Sequence, residues 1–164
     1  MAGSNNIRKT ARRPFLMKLF MLKNMPMGLL AGLRVVEFDD KHAVVTVPYK
    51  HLNINPFQSM YFAVMSMAAE LSSGVQAIAL VSEAPRPMSM LVFKMEASFT
   101  KKARTRTRFV CNDGEKIAQA INESLKTGEG KTVDVTSTGY DAEGDVVAIF
   151  QFTWTFKPKK VKNN

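Results

Sequence analysis

Between Ser59 and Ser73 nearly every residue is apolar, and the one charge is Glu70. A carboxylate in apolar surroundings costs several kcal/mol unless it is paired or hydrogen-bonded, and desolvation raises its pKa. Such a group suits general-base or nucleophilic work on water or a carbonyl carbon. Ser59, Ser66, Glu70 and Ser73 follow i, i+7, i+11, i+14 spacing and fall on one narrow stripe of a helix. The plainer reading of that stripe is a structural carboxylate bonded to Ser66, Ser73 or a backbone N–H across an interface between two copies.

Four neighbouring features bear on the same chemistry. Asn55 precedes Pro56 and can either cap the helix or orient a carbonyl or a water. Tyr61 offers a hydroxyl donor, but a core aromatic with a bonded hydroxyl is the commoner use. Ser66 reads as a partner of Glu70 or as a hydroxyl returned to the carbonyl four residues back. Further on, Lys101, Lys102, Arg104, Arg106 and Arg108 place five bases in eight residues. Alternation with Thr105 and Thr107 aims Arg104, Arg106 and Arg108 at one strand face, a pattern that suits phosphates. It equally suits a basic strand edge that resists aggregation.

The chain has 164 residues and a net charge of +9, and the charge sits at its ends. Residues 1–24 carry six bases and no acid, the segment from Lys157 carries four lysines, and the body between them is −1. We read residues 1–13 and 158–164 as basic tails and 14–157 as a single domain. Solvated tails are the plain interpretation; contact with phosphate or an anionic membrane is the sharper one. Nucleic-acid binding ranks last, because Phe15 and Phe20 have helical-core character and do not interleave with the bases. No apolar run approaches membrane-spanning length, so stable membrane insertion is not expected. One cysteine, Cys111, and two histidines leave no disulfide framework and no metal-ligand set, and Cys111 reads as a buried small hydrophobe. A cytoplasmic protein is expected.

The elements that must position these residues follow from periodicity. Pro14 opens a helix that ends before Pro26. Residues 33–38 and 43–49 pair as strands around Asp39-Asp40-Lys41. The helix over 59–73 is apolar all round and must be buried on most sides, with Gly74 as its C-cap. Period-two alternation marks strands over 89–99 and 104–111. Asp113-Gly114 starts an amphipathic helix that ends at Gly128, and two final strands flank the turn Asp141 to Asp145. An apolar helix followed by alternating strands predicts an α+β hotdog: an antiparallel sheet wrapped around a central helix. One flat edge should pair with a second copy.

At Asn55 to Gly74 the sequence resembles the acyl-CoA thioesterase-like hotdog superfamily. The resemblance rests on Asn55, Tyr61-Phe62-Ala63, Ala69-Glu70 and Gly74. In the phenylacetyl-CoA-type thioesterases an Asn precedes a His-Gly-Gly that opens the helix, and an acid follows nine positions after the His. Tyr61 stands at the His position, Phe62 and Ala63 at the glycines, and Glu70 at the acid. The run is more similar still to an uncharacterised branch of the superfamily, a domain of unknown function. The resemblance implies hydrolysis of an acyl thioester at a homodimer interface, in a dimer or tetramer. Glu70 acts there as general base or nucleophile, with Asn55 and Tyr61 beside it, and the first helical turn around Phe62 supplies the oxyanion contact. It implies no cofactor beyond the coenzyme A of the substrate, whose phosphates Arg104, Arg106 and Arg108 would meet. The alternative is a module that binds a fatty-acyl ligand without turning it over.

Overall fold

The computed structural model describes residues 7–160. Three short helices open the chain: α1 (Ile7–Ala11), α2 (Pro14–Asn24) and α3 (Pro26–Ala31). Pro14 and Pro26 occupy first-turn positions, where a missing N–H costs nothing. Gly32, at φ 83°, closes α3 in the left-handed conformation. Then come β1 (Arg34–Phe38), β2 (Ala43–Val47), a single 3-10 turn at His51–Asn53 and the long helix α4 (Phe62–Glu83). The second half holds β3 (Met88–Phe99), β4 (Thr107–Cys111), α5 (Gly114–Thr127), β5 (Lys131–Tyr140) and β6 (Val146–Pro158).

The strands form one sheet in the order β1-β2-β4-β5-β6-β3, and every neighbouring pair is antiparallel. Alternation along β6 sends Phe150, Phe152, Trp154 and Phe156 into the core. Phe109 and Phe150 meet edge-on at 5.7 Å, and Phe150 stacks on Phe152 at 6.0 Å. Against this layer lies α4, whose Leu71 to Ala77 are buried without interruption. This is the expected hotdog: an antiparallel sheet wrapped on a central helix.

The helix itself differs from expectation at both ends. It begins at Phe62, with Tyr61 as N-cap and no side-chain cap. Met60 is held in a bridge with Ile54 outside the helix, its N–H donating to the Ala103 carbonyl (2.8 Å) and Tyr61 N–H to the Asn53 carbonyl (2.8 Å). Asn55 therefore does not cap the helix. Gly74 does not end it either. A mid-helix glycine costs about 1 kcal/mol, too little to stop a helix buried along most of its length. At 22 residues α4 is long and apolar enough to cross a bilayer by length and composition, yet 67% of its most apolar stretch is buried inside the fold. It is the core helix.

The described part of the supposed N-terminal tail is not free. Ala11 is buried, and Arg8 forms ion pairs with Asp40 and, at 2.6 Å, with Glu83. Those contacts fix α1 against the β1–β2 turn and the far end of α4. At the other end β6 continues to Pro158, and Lys159 N–H still donates to the Pro87 carbonyl (2.8 Å). Residues 1–6 and 161–164, also read as tail, lie outside the described residues.

Candidate functional site

Phe62, Ser66 and Glu70 are spaced by four residues and lie on one face of the N-terminal half of α4. Phe62 is exposed, and Ser66 and Glu70 are partly buried. Burial pushes the Glu70 carboxyl up from 4.5 to about 6. The carboxylate rests against bare helix backbone one turn on. A Cβ at Gly74 would lie 3.0 Å from Glu70 Oε1 and 3.6 Å from Cζ2 of Trp154. Any side chain at position 74 would make the Glu70 carboxylate give way by a few tenths of an ångström.

Neither serine proposed as a partner reaches the carboxylate. Ser66 Oγ donates to the Phe62 carbonyl at 3.0 Å. Ser73 Oγ donates to the Glu70 carbonyl at 3.1 Å and accepts from Trp154 Nε1 at 3.0 Å. The Glu70 carboxylate has no hydrogen-bond or ion-pair partner among the described residues. It is a desolvated acid with its acceptor capacity unspent.

At the start of the helix, a cavity of about 360 Å³ is lined by Asn55, Ser59, Phe62, Met65, Phe99 and Lys102, among others. Asn55 is the hub of the turn below it. Its Oδ1 accepts from Phe57 N–H (3.0 Å), Ser59 N–H (3.3 Å) and Ser59 Oγ (3.2 Å). This use of the oxygen leaves Nδ2 as the group without a partner. The turn also needs Gln58 at φ 57°. Above it, the Phe62 and Ala63 N–H groups have no backbone partner among the described residues, as expected for a first helical turn. Tyr61 is not a core aromatic. It is 45% exposed, its hydroxyl has no partner among the described residues, and its ring packs edge-on against Phe62 at 4.9 Å.

Within the chain these groups form two separate places. Glu70 does not line the cavity that holds Asn55 and Phe62, and two helical turns, about 12 Å of rise, separate it from Phe62. Among the described residues strand β3 pairs only with β6, so its other edge is unpaired, and its Leu91 and Phe93 are 60% and 71% exposed.

The arginine stripe does not form as expected. Strand β4 starts at Thr107, opposite Val47, and Pro48 then ends the partner strand. Arg104 and Arg106 precede the ladder, and only Arg108 is on it. Arg108 faces Glu37 at 3.5 Å. Arg106 and Arg108 line a cavity of about 460 Å³ shared with Asp141 and Glu143, which is a mixed surface rather than a purely basic cradle. Lys101 is pinned between Asp141 (2.6 Å) and Asp145 (2.8 Å). Lys102, one of the five bases of the run, is the one that both reaches the Asn55 cavity and has no carboxylate partner. Burial pushes the Cys111 thiol up to about 11, so it is inert.

Sequence reasoning missed Asn53. It is buried, and its Nδ2 donates to the Ala31 carbonyl (2.9 Å) and the Pro48 carbonyl (2.8 Å). The bonds join three loops beneath the Asn55 turn. Asn53→Ala should cost about 1–3 kcal/mol, because two carbonyls lose their donor, and urea denaturation would measure it.

Solved structures with this fold place the chain in a class. A Pseudomonas aeruginosa protein of unknown function, described as a probable thioesterase, superimposes with a TM-score of 0.74 at 20% identity over 90% of this chain and 97% of its own. A thioesterase of Haemophilus influenzae matches at 0.66 and 11% identity, covering 93% and 95%. A Chlorobaculum tepidum protein with unknown function matches at 0.74 and 16%, covering 91% and 99%. At these identities the likeness shows the fold, which is that of the thioesterase-like hotdog proteins. No curated protein matches the chain. Residues 14–156 match the family Domain of unknown function (DUF4442), and the chain belongs to that family.

Proposed function

We propose that the protein is an acyl-CoA thioesterase that works as a homodimer in the cytoplasm. The observation that carries this reading is Glu70: a carboxylate held near pKa 6 by burial, without a partner, on the central helix of a thioesterase-like fold. As general base, Glu70 takes a proton from water while the oxygen attacks the thioester carbonyl. The C–S bond then breaks, and the thiolate leaves with a proton. As nucleophile, the same carboxylate attacks the carbonyl carbon, the C–S bond breaks, the thiolate leaves and takes a proton from solvent, and water then opens the acyl anhydride to release the acid and free Glu70. The Phe62 and Ala63 N–H groups and Asn55 Nδ2 suit the developing oxyanion. Their separation from Glu70 in one protomer is met when the partner copy supplies one of the two places. The unpaired edge of β3, with Leu91 and Phe93 exposed on that strand, supports pairing with a second copy there.

A second reading, acyl binding without turnover, is favoured by Phe62. Its exposed ring occupies the first helical turn, where the related thioesterases have glycine. Incubation with a panel of acyl-CoA esters, with released thiol measured, separates the two readings. Steady thiol release supports hydrolysis; tight binding without release supports the module.

Coenzyme A carries phosphates, and we assign their contact to the unpaired bases Lys102, Arg104 and Arg106. Arg106→Glu should raise KM for acyl-CoA by about three- to tenfold with kcat little changed, an effect that shrinks as salt is added. Steady-state kinetics at two ionic strengths would check it.

A further inference from the structure

Helix α2 is apolar on two opposite faces, and the fold uses one of them. Met17 and Met21 point into the core. On the far side Phe15, Leu19 and Leu22 are 73%, 54% and 60% exposed. Their i, i+4, i+7 spacing makes them one stripe, and at about 100° per residue it faces away from Met17 and Met21. Lys18 then falls on one flank of the stripe and Lys23 on the other, both exposed. In the next helix Met27 and Leu30 are exposed too.

Charge says what can cover this face. No acid occurs before Glu37, and Arg12, Arg13, Lys18 and Lys23 have no ion-pair partner among the described residues. A second copy docked through the same face would bring two unrelieved cationic rims together, so a symmetric contact is disfavoured. On the Met17 and Met21 side of α2, a cavity of about 620 Å³ has Arg12, Lys18 and Arg34 in its lining, so the neighbourhood of the helix is cationic there as well. An exposed apolar stripe between lysines, in a region without acids, is complementary to a surface that is anionic outside and apolar beneath.

We infer that α2 is a peripheral membrane contact: Phe15, Leu19 and Leu22 enter the acyl boundary of an anionic bilayer while Arg12, Arg13, Lys18 and Lys23 meet its headgroups. This inference does not rest on the thioesterase reading. A flat aromatic stacking platform, which single-stranded nucleic acid would need, is missing from the stripe, since two of its three residues are leucine.

The test is co-sedimentation of the full chain with vesicles of phosphatidylcholine alone and vesicles that also contain phosphatidylglycerol. Binding should appear with the anionic vesicles, fall with added salt, and be about tenfold weaker or more for Leu19→Glu and for the Lys18→Glu, Lys23→Glu pair. All three side chains are exposed, so circular dichroism should show the variants folded as wild type. Failure to bind either vesicle, equal binding to both, unchanged binding by the variants, or preference for a single-stranded oligonucleotide over anionic vesicles would overturn the inference.

Discussion

Replacing Glu70 by Gln is expected to destroy activity and raise stability. Loss of a general base costs a factor of about 10²–10⁴ in turnover. The amide is isosteric, so the helix and the side chain's close approach to Gly74 are retained. The stability change follows from the carboxyl held near 6 in the fold against an ordinary 4.5. The folded state binds the proton more tightly than the unfolded chain. Stability associated with that proton is fully present below about pH 4.5 and is lost as pH rises through about 6, to a total of about 2 kcal/mol. Gln cannot lose a proton. Glu70→Gln should therefore match wild type in acid and exceed it by up to about 2 kcal/mol above neutrality. Chemical denaturation at the two pH values measures this directly. A variant less stable at neutral pH would mean that the carboxylate holds the fold together through contacts of its own.

The second large effect is expected at the bare edge of β3. Leu91 and Phe93 are exposed in the protomer, so changing both to Glu removes little from its own packing. At an interface between two β3 edges the same changes would bury charges where apolar contact is needed. Central apolar anchors are commonly worth 2 kcal/mol or more each, so dimer dissociation should become easier by about 100-fold or more. Sedimentation velocity should then show monomer at micromolar concentration, with thermal unfolding of the protomer nearly unchanged. Turnover should fall with the dimer, because Glu70 and the Asn55 cavity are not joined within one protomer. Full activity in a monomeric variant would require one chain to hold the whole site.

Much of this arrangement was legible in the residues. The period-two runs became β3 and β6, and the all-round apolar segment became α4. Glu70 was visible as the one charge on that segment. What could not be read depends on partners distant in sequence. Helix α1 has five residues and is held by Arg8 pairing with Asp40 and with Glu83, 75 positions away. Nothing local announces it. The end of α4 was misplaced because glycine is a weak signal when burial surrounds it. Arg104 and Arg106 fell outside β4 because Pro48 ends the neighbouring strand, and a ladder needs both sides. The Ser73 hydroxyl, offered to the Glu70 carboxylate by spacing alone, donates instead to the Glu70 main-chain carbonyl and accepts from Trp154 of the last strand.

The pH dependence of kcat/KM for acyl-CoA hydrolysis by the wild-type protein tests the central claim most directly. A base must be ionised to act, so activity should be low in acid, rise with an apparent pKa near the value of about 6 that burial imposes on Glu70, and stay level above neutrality. A profile that is flat through that range, or no thiol release at any pH with any acyl-CoA ester, would contradict the assignment of Glu70 as the base.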